Sequence, residues 1–245
     1  MEQTRKKFLR NFLIGATSVP LILEACKKDA TSGNAGSGGS SGTGSGSCTV
    51  APAETEGPFP THTPSSLIRS DIRDDRTGVP LTLNITVKNA NSNCTALSNV
   101  IVDVWHCDKD GYYSEYGGTG MQTIDYTGVH FLRGRQTTDA NGLVSFTTIF
   151  PGWYSGRATH IHVHIYTASG TSLKITQIAF PEGTNSAVML VNASTANGYT
   201  KGMSGYTYNA SDNVFSDDTT GVEIASVAGS VGAGYVLTHS ISVPA

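Results

Sequence analysis

Short apolar or β-branched segments, each bounded by Gly, Asn, Asp and Ser, recur from Gly78 to Ala245. No such segment can bury its apolar face alone, and repetition at this spacing confines the chain to packed antiparallel sheets. The predicted fold is all-β, an antiparallel β-sandwich with long loops. The clearest strands cover 81–87, 99–105, 143–149, 160–166, 173–180 and 235–243, and no long amphipathic helix stands between them. Asp139-Ala140-Asn141-Gly142 is expected to form a hairpin turn, because Asn-Gly supplies the positive φ angles that tight turns require. Two connections, 113–130 and 181–221, are long, and long loops on a β scaffold are where binding sites usually sit.

The chain ahead of this region has a different character. Arg5, Lys6, Lys7 and Arg10 precede an apolar run from Phe12 to Leu23, the order of a secretory signal. The run carries Pro20 and stops at Glu24, short of the roughly 20 apolar residues that a membrane helix needs. Leu23-Glu24-Ala25-Cys26 resembles a bacterial lipobox, with an unusual Glu, so residues 1–25 are expected to be removed and Cys26 to carry a lipid anchor. Thr4 to Arg10 also resembles a twin-arginine export signal with Lys in place of the second Arg. Residues 26–47 become a Gly/Ser-rich flexible tether, which leaves 48–245 as the folded domain and an exported, membrane-anchored lipoprotein as the expected location. The net charge of −3 becomes more acidic once the basic leader is gone, which argues against nucleic acid as a partner. Cys48, Cys94 and Cys107 would then share a compartment that permits disulfides. One bridge and one free thiol is the simplest arrangement, with the pairing open. No sequence feature fixes an oligomeric state.

The most informative stretch is Pro151-Gly152-Trp153-Tyr154-Ser155-Gly156-Arg157-Ala158-Thr159-His160-Ile161-His162-Val163-His164. Residues two apart on a strand share a face, so His160, His162 and His164 project to one side and Ile161, Val163 and Ile165 to the other, the core side. Two imidazoles on one face form a preorganised chelate that suits zinc, copper or iron. Val163 to Thr167 offers no carboxylate, which argues against a cupin centre. A zinc hydrolase would need a third ligand, for which His164 or Asp110 is available. A third possibility is a non-catalytic sandwich binding protein mounted on the tether and using exposed aromatics such as Trp153, Tyr116 and Tyr126.

A second block, Val102-Asp103-Val104-Trp105-His106-Cys107-Asp108-Lys109-Asp110-Gly111-Tyr112-Tyr113-Ser114, runs a strand into a Gly-containing turn that presents a Tyr. Together the two blocks resemble the intradiol ring-cleavage dioxygenases, the family of catechol and protocatechuate dioxygenases. Glu54-Thr55-Glu56-Gly57-Pro58-Phe59 resembles the stretch with which such domains begin, and the likeness extends from about Cys48 to Glu182. The variant His106-Cys107-Asp108 after Trp105 resembles the exported subgroup.

This resemblance implies a non-haem Fe(III) cofactor held by Tyr113, Tyr154, His160 and His162. It implies catalytic roles for Arg157, for Tyr154 as ligand and base, and for Gln177 beside the pocket. Catechol-type substrate and O2 would be the small-molecule partners, and a cis,cis-muconate-type diacid the product. Phenol ionises near pH 10, so two tyrosinates at neutral pH require a strongly charged ion beside them, which selects ferric iron. Tyr112 is read as packing or pocket wall, His106, His130 and His164 as structure or rim, and 108–111 as a turn.

Overall fold

The computed structural model describes residues 48–118 and 120–245. The signal, the lipobox and the whole tether fall outside the described residues. Two sheets face each other across one apolar core. β1 (Pro80–Asn89) turns Leu81, Leu83, Ile85 and Val87 into that core while its alternate residues stay partly exposed, the period-two pattern of a half-buried strand. It pairs along its length with β9 (Gly234–Val243), Leu81 opposite Tyr235 and Asn89 opposite Val243. On its other side lie first β5 (Leu143–Ile149) and then the two-residue β2 (Thr95–Ala96). β8 (Ser226–Ser230) forms the edge beyond β9. The second sheet has the order β4 (Arg133–Thr137), β3 (Ile101–Trp105), β6 (His160–Tyr166), β7 (Ser172–Ala179) and is antiparallel throughout.

The six expected strands are present, with Leu173–Phe180 shifted by one residue. The sandwich departs from the purely antiparallel expectation at one place, since β1 and β9 run parallel. The turn at 139–142 forms, with Asp139 Oδ1 accepting from the amides of Asn141 and Leu143 at 2.8 Å each. It does not close a hairpin, however. β4 before it pairs with β3, and β5 after it pairs with β1, so the turn carries the chain from one sheet to the other. β4, β8 and β2 escaped the sequence reading because Arg-Gly-Arg-Gln-Thr and Ser-Val-Ala-Gly-Ser lack an apolar stripe, and β2 is too short to show one. The 181–221 connection holds a one-and-a-half-turn helix, α1 (Ala187–Asn192), whose N-cap Ser186 accepts from the Met189 amide.

The disulfide pairs Cys48 with Cys94, and Cys107 is a buried thiol. From Cys48 the chain runs along the sandwich and over the second sheet. The Ala51 amide bonds to Ser242 O, the Glu54 amide bonds to Ile175 O, and Lys174 Nζ donates to Ala51 O. This segment covers the face on which the histidines stand.

Candidate functional site

Ile161, Val163 and Ile165 are fully buried between the sheets, so the odd-numbered positions of β6 face the core as expected. The opposite face is buried as well, because the N-terminal segment and the 113–130 loop close over it. His160 and His162 are each 1% exposed. Cross-strand register places Arg133, Trp105, His162 and Gln177 in one row on that face, and Arg135, Asp103 and His164 in the next.

Tyr113 is delivered by the turn that follows β3. Asp108 Oδ1 accepts from the Asp110 and Tyr112 amides at 2.9 Å each, and the Gly152 amide donates to Asp108 O. A Cβ on Gly111, whose φ is +89°, would lie 2.4 Å from Trp153 O. The turn carrying Tyr113 and the loop carrying Tyr154 therefore touch backbone to backbone, which only glycine permits. Gln122 then fixes Tyr113 by its own main chain: Oε1 accepts from the Tyr113 amide and Nε2 donates to Tyr113 O, both at 2.7 Å. Phe59 stacks on the Tyr113 ring at 4.7 Å.

These elements bring three donor atoms together. Tyr113 Oη lies 3.1 Å from His160 Nε2, which lies 3.1 Å from His162 Nε2. His160 Nδ1 sits 2.6 Å from Ala158 O; that bond requires the proton on Nδ1 and leaves the Nε2 lone pair free for the cluster. His162 is clamped flat against Trp105, with centroids 4.9 Å apart and planes 2° apart. On another side is Gly57, where a Cβ would approach His162 Cε1 to 2.9 Å. His162 Nδ1 is buried without a hydrogen-bond partner. Tyr154 completes the group, its ring 5.6 Å from His160 and 5.8 Å from Tyr113, half-buried at the cleft side.

Burial pushes the Tyr113 phenol well above its ordinary value and raises Tyr154 as well, although the nearby Arg157 guanidinium opposes the latter shift. Burial also lowers the imidazoles, His160 to about 3 and His162 well below the ordinary value. The unliganded cluster is thus two neutral phenols and two neutral imidazoles, and packed lone pairs of this kind are satisfied by a cation. The donor set fits ferric iron, because imidazole is an N donor when neutral and phenol becomes an anionic donor beside a strongly charged ion.

Arg157 and Gln177 stand beside the cluster, Arg157 Nη2 donating to Gln177 Oε1 at 2.6 Å and Gln177 Nε2 to Thr55 O at 2.9 Å. A cleft of about 300 Å³ opens over Tyr154 and Arg157, walled by Thr55, Gly57, Pro58, Met121 and Asn213. Tyr113, Tyr154, His160, His162, Arg157 and Gln177 thus lie together.

The zinc centre completed by His164 or Asp110 does not assemble. His164 turns to Glu56, Tyr166 and Ser172, and Asp110 meets Lys109 in the 108–111 turn. Among the described residues no three His, Cys, Asp or Glu side chains are placed to share a metal ion. The exposed aromatic binding face is corrected too. Trp153 is buried and its Nε1 donates to Gly202 O, while Tyr116 and Tyr126 are half-buried. Tyr112 packs towards Tyr126 and away from the histidines.

Residues that the sequence reading missed include Gln122, Arg133 and Asp212. Arg133, fully buried, donates to Ser114 O, Ser114 Oγ, Phe59 O and Thr61 Oγ1, and so ties the two segments that cover the site. Asp212 accepts from Arg157 Nε at 2.9 Å and from the Ala158 amide at 2.7 Å. A solitary polar residue, whether in a loop like Gln122 and Asp212 or at the start of a strand like Arg133, carries no periodicity, so no linear pattern marked these three.

The comparisons with known proteins agree with this geometry. The family model described as Dioxygenase matches residues 55–204. Catechol 1,2-dioxygenase 1 of Acinetobacter lwoffii is 30% identical over 122 residues, which is 43% of this chain and only 37% of that relative. The intradiol ring-cleavage dioxygenase of Tetranychus urticae superposes with a TM-score of 0.67 at 29% identity, over 80% of this chain and 96% of that one. The dioxygenase domain of a dioxygenase carbohydrate-binding protein fusion from Streptomyces sp. SirexAA-E gives 0.54 at 27% identity, over 79% and 97%. With its Tyr and His donors gathered at one end of this sandwich, the chain belongs to the intradiol ring-cleavage dioxygenase family.

Proposed function

We propose that the protein is a non-haem Fe(III) dioxygenase that cleaves a catechol-type ring between its two hydroxylated carbons with O2, giving a muconate-type diacid. The observation that carries this reading is the convergence of Tyr113 Oη, His160 Nε2 and His162 Nε2 at 3.1 Å spacings, with Tyr154 at the cleft side. Tyr113, Tyr154, His160 and His162 would hold the iron. When bound, ferric iron supplies the charge that ionises the phenols and the electron demand that makes a chelated catecholate reactive towards O2.

The remaining work falls to the chain itself. Tyr154, the more exposed of the two phenols, would as the iron-ionised tyrosinate take a proton from an entering catechol hydroxyl, so ligand and base would be one residue. Arg157, oriented by Gln177, faces negative charge developing on the ring and stabilises it. Trp105 and Gly57 hold the His162 ring at its angle, and Phe59 together with the buried Arg133 keeps bulk water from Tyr113.

The test is a visible absorption spectrum with metal analysis of the purified protein, before and after anaerobic addition of catechol. A red-brown iron protein whose band moves to longer wavelength with catechol supports tyrosinate-to-ferric charge transfer and direct substrate ligation. A colourless zinc protein, or one that takes up no iron on reconstitution, overturns the reading.

A further inference from the structure

Among the described residues that wall the cleft, Arg157 is the sole cation. Two of its nitrogens are already engaged: Nε donates to Asp212 Oδ2 at 2.9 Å and Nη2 donates to Gln177 Oε1 at 2.6 Å. Asp212 is itself held from several sides. It is fully buried, Oδ2 also accepts from the Ala158 amide at 2.7 Å, and Oδ1 accepts from the Val214 amide at 2.8 Å. Asn213, the next residue, is part of the cleft wall. Glu54 is within electrostatic reach of Arg157, Asp212, Asp217 and Lys174. The other arginine near the cluster, Arg133, is buried behind Phe59 and Tyr113 and is balanced by Glu115 at 3.8 Å.

We propose that Asp212, with Asn213 beside it, determines ring specificity: by pairing with Arg157 it holds that guanidinium at the metal-side end of the cleft and leaves no spare cation for a ring substituent, so the site takes catechols with uncharged substituents and turns away carboxylated ones. The inference rests on the ring-cleavage reading above. A catechol bound beside Tyr154 and Arg157 would lie in the cleft walled by Thr55, Pro58, Met121 and Asn213. A methyl group there meets apolar and neutral walls. A carboxylate would lose its water without gaining a counter-ion, beside a carboxylate already present, and that penalty is steep. Asp212 lies beyond residues 55–204, so this control comes from the part of the chain that the family model does not match.

The test compares 4-methylcatechol with 3,4-dihydroxybenzoate, which are similar in shape and differ in charge at neutral pH. It measures kcat/KM with the iron-loaded full chain and, separately, anaerobic binding by calorimetry. Binding distinguishes exclusion by charge from any effect of the substituent on the reactivity of the ring. The wild type is expected to prefer 4-methylcatechol by more than about tenfold in both measurements. Asp212→Asn, which frees the Arg157 charge, is expected to shrink that ratio at least about threefold, and Asn213→Lys to shrink it further. A ratio taken within one protein cancels general damage, and Asn213→Lys keeps the test decisive if Asp212→Asn folds poorly. Equal handling of the two compounds by the wild type, or a ratio unchanged in both variants, overturns the inference alone. Failure to bind or cleave either compound overturns the ring-cleavage reading and this inference with it.

Discussion

Gly111 combines a φ of +89° with a backbone carbonyl, Trp153 O, in the position its Cβ would occupy. Gly111→Ala therefore meets both a conformational penalty of about 1–2 kcal/mol and a steric one that has to be relieved by parting the two tyrosine-bearing loops. The variant is expected to melt lower and to retain less iron than its fold content would indicate, measured as metal per folded protein after reconstitution. Glu223 presents a different residue-scale tension. It is 1% exposed, both carboxylate oxygens lack hydrogen-bond partners, and burial together with Glu54, Asp218, Asp217 and Asp212 pushes it from 4.5 up to about 8. A folded-state value above the unfolded one means that the native protein holds this proton longer. The stability it allows is fully present below about pH 4.5 and is lost as pH rises through 8. Glu223→Gln keeps the shape and removes the ionisation. Urea denaturation should find the variant more stable than wild type at pH 9, by about 1–3 kcal/mol, with the advantage shrinking towards pH 5. Parallel curves for the two proteins across that range would show that Glu223 does not titrate as stated.

At the scale of elements, the 113–130 loop holds Tyr113 through one glutamine. Gln122 is 2% exposed and satisfies both the amide and the carbonyl of Tyr113. Gln122→Ala leaves those buried groups unpaired, at about 1–3 kcal/mol, and loosens Tyr113; with the proposed ligand set, iron affinity should fall about 10–100-fold, the range for lost supporting contacts around a metal. Competition with a chelator would measure it, and an unchanged affinity would mean that Phe59 stacking alone fixes Tyr113. This loop also shows where sequence reading stops. β6 was legible in full, since its alternation sets both the core face and the histidine face, and the two tyrosines were legible through the motif blocks around them. Gln122, Arg133 and Asp212 were not, because each acts on a segment distant in sequence: Arg133 on Phe59, and Asp212 on Arg157 and Ala158. The turn at 139–142 was read correctly as a turn and wrongly as a hairpin, because a turn's own residues fix its local geometry but not which sheet the next strand joins.

Across the whole molecule, one uncoiled segment joins stability to the site. From Cys48 the chain is fastened at Ser242, at Ile175, at Gln177 through Thr55, and at Arg133 through Phe59 and Thr61. Gly57 meets His162 on the way. Its outer end is anchored by the Cys48–Cys94 disulfide, which spans 46 residues of sequence. Closing a loop of that length restricts the unfolded chain by about 4 kcal/mol in the chain-entropy account. Cys48→Ser with Cys94→Ser should therefore lower the unfolding free energy obtained from urea denaturation by an amount of that order. The loss of activity should be smaller, because Gln177 and Arg133 still hold the part of the segment nearest Tyr113 and His162. If activity and stability fall in proportion, the disulfide itself sets the position of Gly57 and Phe59; if stability alone falls, the inner hydrogen bonds do so and the bridge acts on the unfolded chain.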